Sequence, residues 1–259
     1  MPQTNTKQNL GTKNPITWCP GCPNFLILES AKKAISELID ESKGKIKQED
    51  FAMSTGIGCH AKIFDYLNIS GIYGLHGRTI SVAEGIKLGN EKLKVLAFAG
   101  DGDTYAEGME HFIHAFRHNE DITLIVHENQ SFSLTTGQPT PTTQQGYKSK
   151  ATPQGEREKP LNPIKLALAA GGTFIARTNA RNIAQTTDIL KKAIKHKGFS
   201  FVEVMQDCLI FNKEMDNKDS LMYLVENKDK AKAEKLADEW NYNSKSGKIP
   251  VGIIYEESQ

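Results

Sequence analysis

Val95-Leu96-Ala97-Phe98-Ala99 is a short apolar run that breaks directly into Gly100-Asp101-Gly102-Asp103. No other stretch limits the fold as strongly. Consecutive apolar residues bounded by glycine suit a strand buried on both faces, and such strands belong to parallel sheets covered by helices. The glycines permit a sharp turn and let backbone N–H groups approach an anion. Ala106 to Asn119 then reads as a helix, whose N-terminus favours negative charge. Ile122 to Val126 reads as a second buried strand, with Asn129 just past its end. Asp101 and Asn129 are therefore expected at the carboxyl ends of two strands joined by one helix, where an open α/β sheet binds its ligand. Their oxygens suit Mg²⁺, which leaves positions for substrate phosphates. A lone Gly-Asp-Gly is equally a surface turn; the strand before it, the helix after it and the strand ending at Asn129 favour a metal–diphosphate site.

The rest of the chain repeats this pattern. Phe51 to Ser54 is a strand that runs into Gly56-Ile57-Gly58-Cys59-His60, and Gly71 to Gly77 carries another that delivers His76-Gly77-Arg78. Asn24 is expected to cap a helix through about Lys43, and Thr79 one through about Leu88. Asn162, followed by Pro163, caps a helix to Ala170, and Asn182 caps one through Lys197. Thr173 to Ala176 and Phe199 to Met205 are further strands. Ile249 to Ile254 reads as a closing strand, with Pro250 suggesting a sheet edge. Residues 130–160, rich in Thr, Gln, Pro and Gly, form a loop long enough to be functional or mobile. The fold class is α/β, a single doubly wound, mostly parallel sheet. Residues 1–17 read as a flexible arm, 18–212 as the α/β domain, and 213–259 as an extension packing on that domain or on a partner.

The 259 residues suffice for one large core, and 38% apolar with 24% charged residues describes a soluble globular protein. A net charge of +1 gives no nucleic-acid footprint. No apolar run is long enough to span a membrane, and the N-terminus lacks an apolar signal region, so a cytoplasmic location is expected. Disulfides are then not expected among the four cysteines, Cys19, Cys22, Cys59 and Cys208. Cys19-x-x-Cys22 admits a thioredoxin-like redox pair, a zinc site or an iron–sulfur site, and spacing alone leaves metal binding and spare thiols evenly matched. His60, Lys62, His76 and Arg78 follow two strand ends; they are either solvated surface groups or a cationic site for a carboxylate. His111, His114 and His118 recur at helical spacing and read as the rim of a packed helix.

At these residues the chain resembles a known family. Gly-Asp-Gly followed by about 26 residues and an Asn is similar to the diphosphate-binding signature of thiamine diphosphate enzymes. Thr136-Gly137-Gln138-Pro139-Thr140-Pro141-Thr142-Thr143 narrows the resemblance to the beta subunits of 2-oxoacid:ferredoxin oxidoreductases. The resemblance covers about residues 18–212 and returns at the closing strand. It implies Mg²⁺ held by Asp101, Asn129 and the backbone carbonyl of Ser131. It implies thiamine diphosphate contacted by Gly58, His60, Gly100, Gly102, Asp103, Leu134 and Thr135. It implies one [4Fe–4S] cluster on Cys19, Cys22, Cys59 and Cys208, with Lys62, His76 and Arg78 beside substrate or cofactor. The implied reaction is oxidative decarboxylation of a 2-oxoacid (2-oxoglutarate or pyruvate) to an acyl-coenzyme A, with electrons passed to ferredoxin. The implied partner is an alpha subunit, in a dimer of αβ pairs. Glu128, Phe132-Ser133 and Met109-Glu110 replace the family's usual residues beside the cofactor, which bears on substrate preference. Two alternatives are a thiamine diphosphate decarboxylase subunit without redox chemistry, and a non-catalytic zinc-stabilised partner domain.

Overall fold

The computed structural model describes residues 8–213, 218–243 and 247–257. Its strands are β1 (Phe51–Thr55), β2 (Ser70–Tyr73), β3 (Lys94–Gly100), β4 (Ile122–Glu128), β5 (Phe174–Asn179), β6 (Ser200–Met205), β7 (Met222–Glu226) and β8 (Ile249–Glu256). Among the described residues they form one sheet, ordered β2-β1-β3-β4-β6-β5-β8-β7. Every pairing is parallel except β5 with β8, so β7 and β8 run against the other six. The helices are α1 (Asn24–Glu41), α2 (Thr79–Gly89), α3 (Met109–His118), α4 (Pro163–Ala169), α5 (Ile183–Lys195) and α6 (Lys230–Asp238).

Alternation along the strands feeds two large cores, beside a smaller cluster of Met205, Trp240, Tyr242, Ile249 and Val251. Leu96 and Phe98 point to the face covered by α1 and α5, where they meet Ile27, Ile35 and Leu190. Val95, Ala97 and Ala99 point to the other face, which α2, α3, α4 and α6 cover with Ile80, Phe112, Ile164 and Leu236. A period of two with both faces apolar makes β3 a continuous apolar run rather than an alternating one. From β1 the chain passes outward to β2 and then back across to β3. The carboxyl ends of β1 and β3 thus diverge at a topological switch point, where such sheets leave a crevice. No described helix is long and apolar enough to cross a membrane.

Three details differ from expectation. Pro250 does not mark an edge: β8 lies inside the sheet and β7 is the edge. The β5–β8 pairing begins only at Gly252, so Pro250 needs no N–H on that side and pairs with Tyr223 of β7 alone. Asn24 starts α1 but makes no capping hydrogen bond; Pro23 precedes it. Residues 8–17 lie along the domain. Leu10 is buried, Thr12 Oγ1 and Asn14 Nδ2 donate to Asp65 O at 2.5 and 2.9 Å, and Thr17 N–H donates to Tyr66 Oη at 2.8 Å. The rest of the expected arm, residues 1–7, lies outside the described residues. Residues 218–243 and 247–257 pack on the domain by supplying β7, α6 and β8 to its sheet and second core.

Candidate functional site

The crevice is lined by the ends of five strands, with Gln206 following β6. Gly58, Cys59 and His60 follow β1, and His76 follows β2. Gly100 to Asp103 close β3, and Asn129, Ser131, Leu134 and Thr135 follow β4. The segment after β3 is wound more loosely than the expected helix: Asp103–Glu107 forms a π turn, and α3 begins only at Met109. Such turns cluster at functional sites because the widened backbone re-aims side chains.

Asp101 is 3% exposed, and its Oδ2 accepts hydrogen bonds from Thr140 Oγ1 at 2.7 Å and Thr142 Oγ1 at 3.4 Å. Burial pushes its carboxyl up to about 6, although Thr140, the Gly102 N–H and Glu128 pull the other way. Glu128 is fully buried beside it and is also pushed up, first by burial and then by the charges of Asp101 and Glu203. Glu128 Oε1 accepts from Thr142 Oγ1 at 2.8 Å, while its Oε2 has no partner. Asn129 Oδ1 accepts the Ser131 N–H at 3.0 Å, and Ser131 Oγ is buried without a partner. The buried Asp101 carboxyl, the Asn129 amide and Ser131, whose Oγ has no partner, line one strand-end crevice and form a donor set that fits a divalent cation with an anionic ligand beyond it.

A second carboxylate behaves differently. Asp103 accepts from Gly77 N–H and Thr79 Oγ1, both at 2.6 Å, and lies 3.6 Å from His60 Nε2 and 3.7 Å from His76 Nδ1. Burial would raise it, but His60 with these donors holds it below the usual carboxylate range. Thr79, expected as a helix cap, spends its hydroxyl here. His127 is buried with Nδ1 2.8 Å from Asn24 Oδ1, and burial and the nearby His60 hold it neutral. Its Nε2 has no partner and lies on the crevice wall.

The four cysteines, drawn from three separate segments, line a second cavity that shares Cys59, Asn129, Ser133 and Gln206 with the first. None is in a disulfide. Burial pushes the Cys22 thiol up to about 11 and raises Cys59, which the Lys62 charge lowers in part. Phe211 N–H donates to Cys208 Sγ at 3.4 Å, and Trp18 Nε1 donates to Cys59 O at 2.7 Å. Three half-buried thiols and the exposed Cys19 around one cavity form a donor set that fits a thiolate-bound metal centre. Among the described residues no group of three or more His, Cys, Asp or Glu is arranged to hold a single metal ion.

Two residues read from sequence as neighbours of the crevice stand apart from it. Lys62 lines the cysteine cavity, with Nζ donating to Thr17 O at 2.9 Å. Arg78 bonds the carbonyls of Gly77 and Glu107 at 3.1 and 3.3 Å. His111, His114 and His118 lie on the outer side of α3, His118 pairing with Glu84 at 2.9 Å. Sequence reasoning placed Glu128 beside the cofactor but missed Thr140, Thr142, His127 and Gln206 as site residues. The run Thr140-Pro141-Thr142-Thr143, polar yet buried in the fold, was the available signal.

Comparison with known proteins identifies the family. The family described as "Thiamine pyrophosphate enzyme, C-terminal TPP binding domain" matches residues 56–204. The beta subunit of 2-oxoacid:ferredoxin oxidoreductase 1 from Aeropyrum pernix is 37% identical over 255 residues, spanning 92% of this chain and 77% of its own. The 2-oxoglutarate synthase subunit KorB of Archaeoglobus fulgidus is 38% identical over 213 residues, spanning 82% and 77%. The 2-oxoglutarate:ferredoxin oxidoreductase of Magnetococcus marinus, solved with 2-oxoglutarate, coenzyme A and succinyl-CoA bound, superposes with a TM-score of 0.89 at 31% identity, over 96% of this chain and 84% of that one. With a sheet crevice built from Asp101 and Asn129, and relatives at this identity over most of their length, the chain belongs to the thiamine pyrophosphate enzymes and, among them, to the family of 2-oxoacid:ferredoxin oxidoreductase beta subunits.

Proposed function

We propose that this chain binds thiamine diphosphate and a [4Fe–4S] cluster and, with an alpha subunit, oxidatively decarboxylates a 2-oxoacid, 2-oxoglutarate first, to its acyl-coenzyme A. Ferredoxin takes the electrons. The observation that carries the reading is the shared wall: Cys59, Asn129, Ser133 and Gln206 separate a cation–diphosphate crevice from a four-thiol cavity.

In this reading Asp101, the Asn129 side chain and the Ser131 carbonyl hold Mg²⁺, and the glycines at Gly100 and Gly102 let backbone approach the diphosphate. Bound thiamine diphosphate supplies the electron sink that decarboxylation of a 2-oxoacid requires. Asp103 stays ionised and orients His60 and His76 on the crevice wall; His127 stays neutral, and its partnerless Nε2 is available to accept a hydrogen bond from a bound ligand. Gly58, Leu134 and Thr135 shape the mouth. Lys62 serves the cysteine set, its charge favouring the Cys59 thiolate. Arg78 braces the turn that carries His76. Cys19, Cys22, Cys59 and Cys208 supply the four thiolates that such a cluster uses. The dimer of αβ pairs and a cytoplasmic setting complete the proposal.

The test is anaerobic co-expression with the alpha subunit. We expect thiamine, and about four irons and four sulfides per chain with broad visible absorbance. Reduction of ferredoxin should depend on 2-oxoglutarate and coenzyme A. Zinc without iron, or carbon dioxide release that never reduces ferredoxin, would overturn the assignment.

A further inference from the structure

Gln130 sits between two residues of the cation site and does not face the crevice. It is a non-glycine residue with φ of 56°, fully buried. A left-handed backbone is uncommon for such a side chain and persists where surrounding contacts over-determine it. Those contacts are present. Gln130 Nε2 spends both hydrogens, on Thr142 O at 2.6 Å and Tyr242 O at 3.1 Å. Its Oε1 accepts from Gln144 Nε2 at 3.5 Å. Its backbone N–H donates to Glu128 Oε1 at 3.1 Å, and its carbonyl accepts Thr143 Oγ1 at 2.7 Å.

The left-handed turn places Ser131 back under Asn129, whose side chain then takes the Ser131 N–H. The segment gripped by the carboxamide is the one that supplies Thr140 and Thr142 to Asp101. Tyr242 reaches in from beyond α6, with its hydroxyl on Glu203 at 2.7 Å. We infer that Gln130 is a positioning residue: its carboxamide locks the Asn129–Ser131 turn to the threonine segment bonded to Asp101, so that both halves of the cation site keep one geometry. The inference rests on the cation assignment under Proposed function.

A merely structural plug would stabilise the fold without favouring one cation over another. A geometric lock favours Mg²⁺ over Ca²⁺, because Mg²⁺ demands near-ideal octahedral ligands while Ca²⁺ tolerates loose ones. The experiment is calorimetric titration of thiamine diphosphate into the full chain, with saturating Mg²⁺ or with Ca²⁺, for the parent protein and for Gln130→Met. Gln130→Met keeps the length and loses both donors. We expect affinity with Mg²⁺ to fall about tenfold and affinity with Ca²⁺ to fall far less. Gln130→Gly, which accepts the positive φ without strain, should reproduce that selective loss and serves if the Met variant does not fold. Equal losses with the two cations, or no loss, would overturn the inference while leaving the cofactor site intact. No binding by the parent protein with either cation would instead overturn the cofactor reading and this inference with it.

Discussion

Asp101 and Asp103 are two residues apart and titrate in opposite directions, because burial outweighs the hydrogen bonds that reach Asp101, whereas His60 and the Thr79 and Gly77 donors outweigh burial at Asp103. The consequence for Asp101 has a definite sign. Unfolded, it releases its proton near 3.8; folded, burial holds the proton to about 6. Between those values the folded chain binds more protons than the unfolded one, so this group lowers the stability of the cation-free chain as pH rises from about 4 to about 6, and adds no further slope above. Cation binding runs the other way, since Mg²⁺ needs the ionised carboxylate. We expect Mg²⁺-dependent binding of thiamine diphosphate to strengthen through about pH 6 and level off above it. Thr140→Val removes a hydroxyl that favours the carboxylate and should move that midpoint upward. Titration calorimetry across pH 5–8 checks both, and a profile flat through pH 6 would contradict the assignment of Asp101.

Strand ends were the most legible elements, because buried parallel strands leave uninterrupted apolar runs and the residues that follow them must face the crevice. Gly100 to Asp103, Asn129 and His76 could be placed from that logic alone. The π turn could not, since nothing in Asp103-Thr104-Tyr105-Ala106-Glu107 departs from an ordinary helical pattern. Its cause is visible in three dimensions: Gly108 lets the chain pass so close that an added Cβ would stand 2.6 Å from Asp103 O and 3.1 Å from Thr104 O. Both are backbone atoms, so neither can swing aside. Gly108→Ala should therefore shift the turn, cost about 1–3 kcal/mol of stability and weaken cofactor binding by displacing Asp103 from Gly77 and Thr79. Urea unfolding together with thiamine diphosphate titration measures the two effects. An alanine variant as stable as the parent would show that the turn does not depend on that close approach.

At the scale of the molecule, the sequence concealed how its last segments are used. β7 was lost in a charged stretch because an edge strand has one solvated side, and Leu224 is 71% exposed. Tyr242, in a short polar segment, carries no sequence signal, yet its hydroxyl and carbonyl bond Glu203 and Gln130. Only folding reveals that these residues buttress the site from behind. The front is open by contrast. Leu134 and Thr135 at the crevice mouth are exposed, and along the neighbouring edge Ile72 and Leu75 are 49% and 73% exposed beside His76. Thiamine diphosphate chemistry needs a site that water does not fill, because water strips the electrostatic advantage from every group in it. The mouth lies at the carboxyl ends of β1 and β3, and the exposure of Leu134 and Thr135 there shows that the described residues leave it uncovered. We therefore expect this chain, purified alone, to bind thiamine diphosphate with Mg²⁺ but to reduce no ferredoxin with any 2-oxoacid. Adding the alpha subunit should restore turnover and lower the exchange of crevice-lining amides with solvent. Turnover by the chain alone at the rate of the complex would mean that the exposed mouth is already sufficient, and the need for a partner would fall.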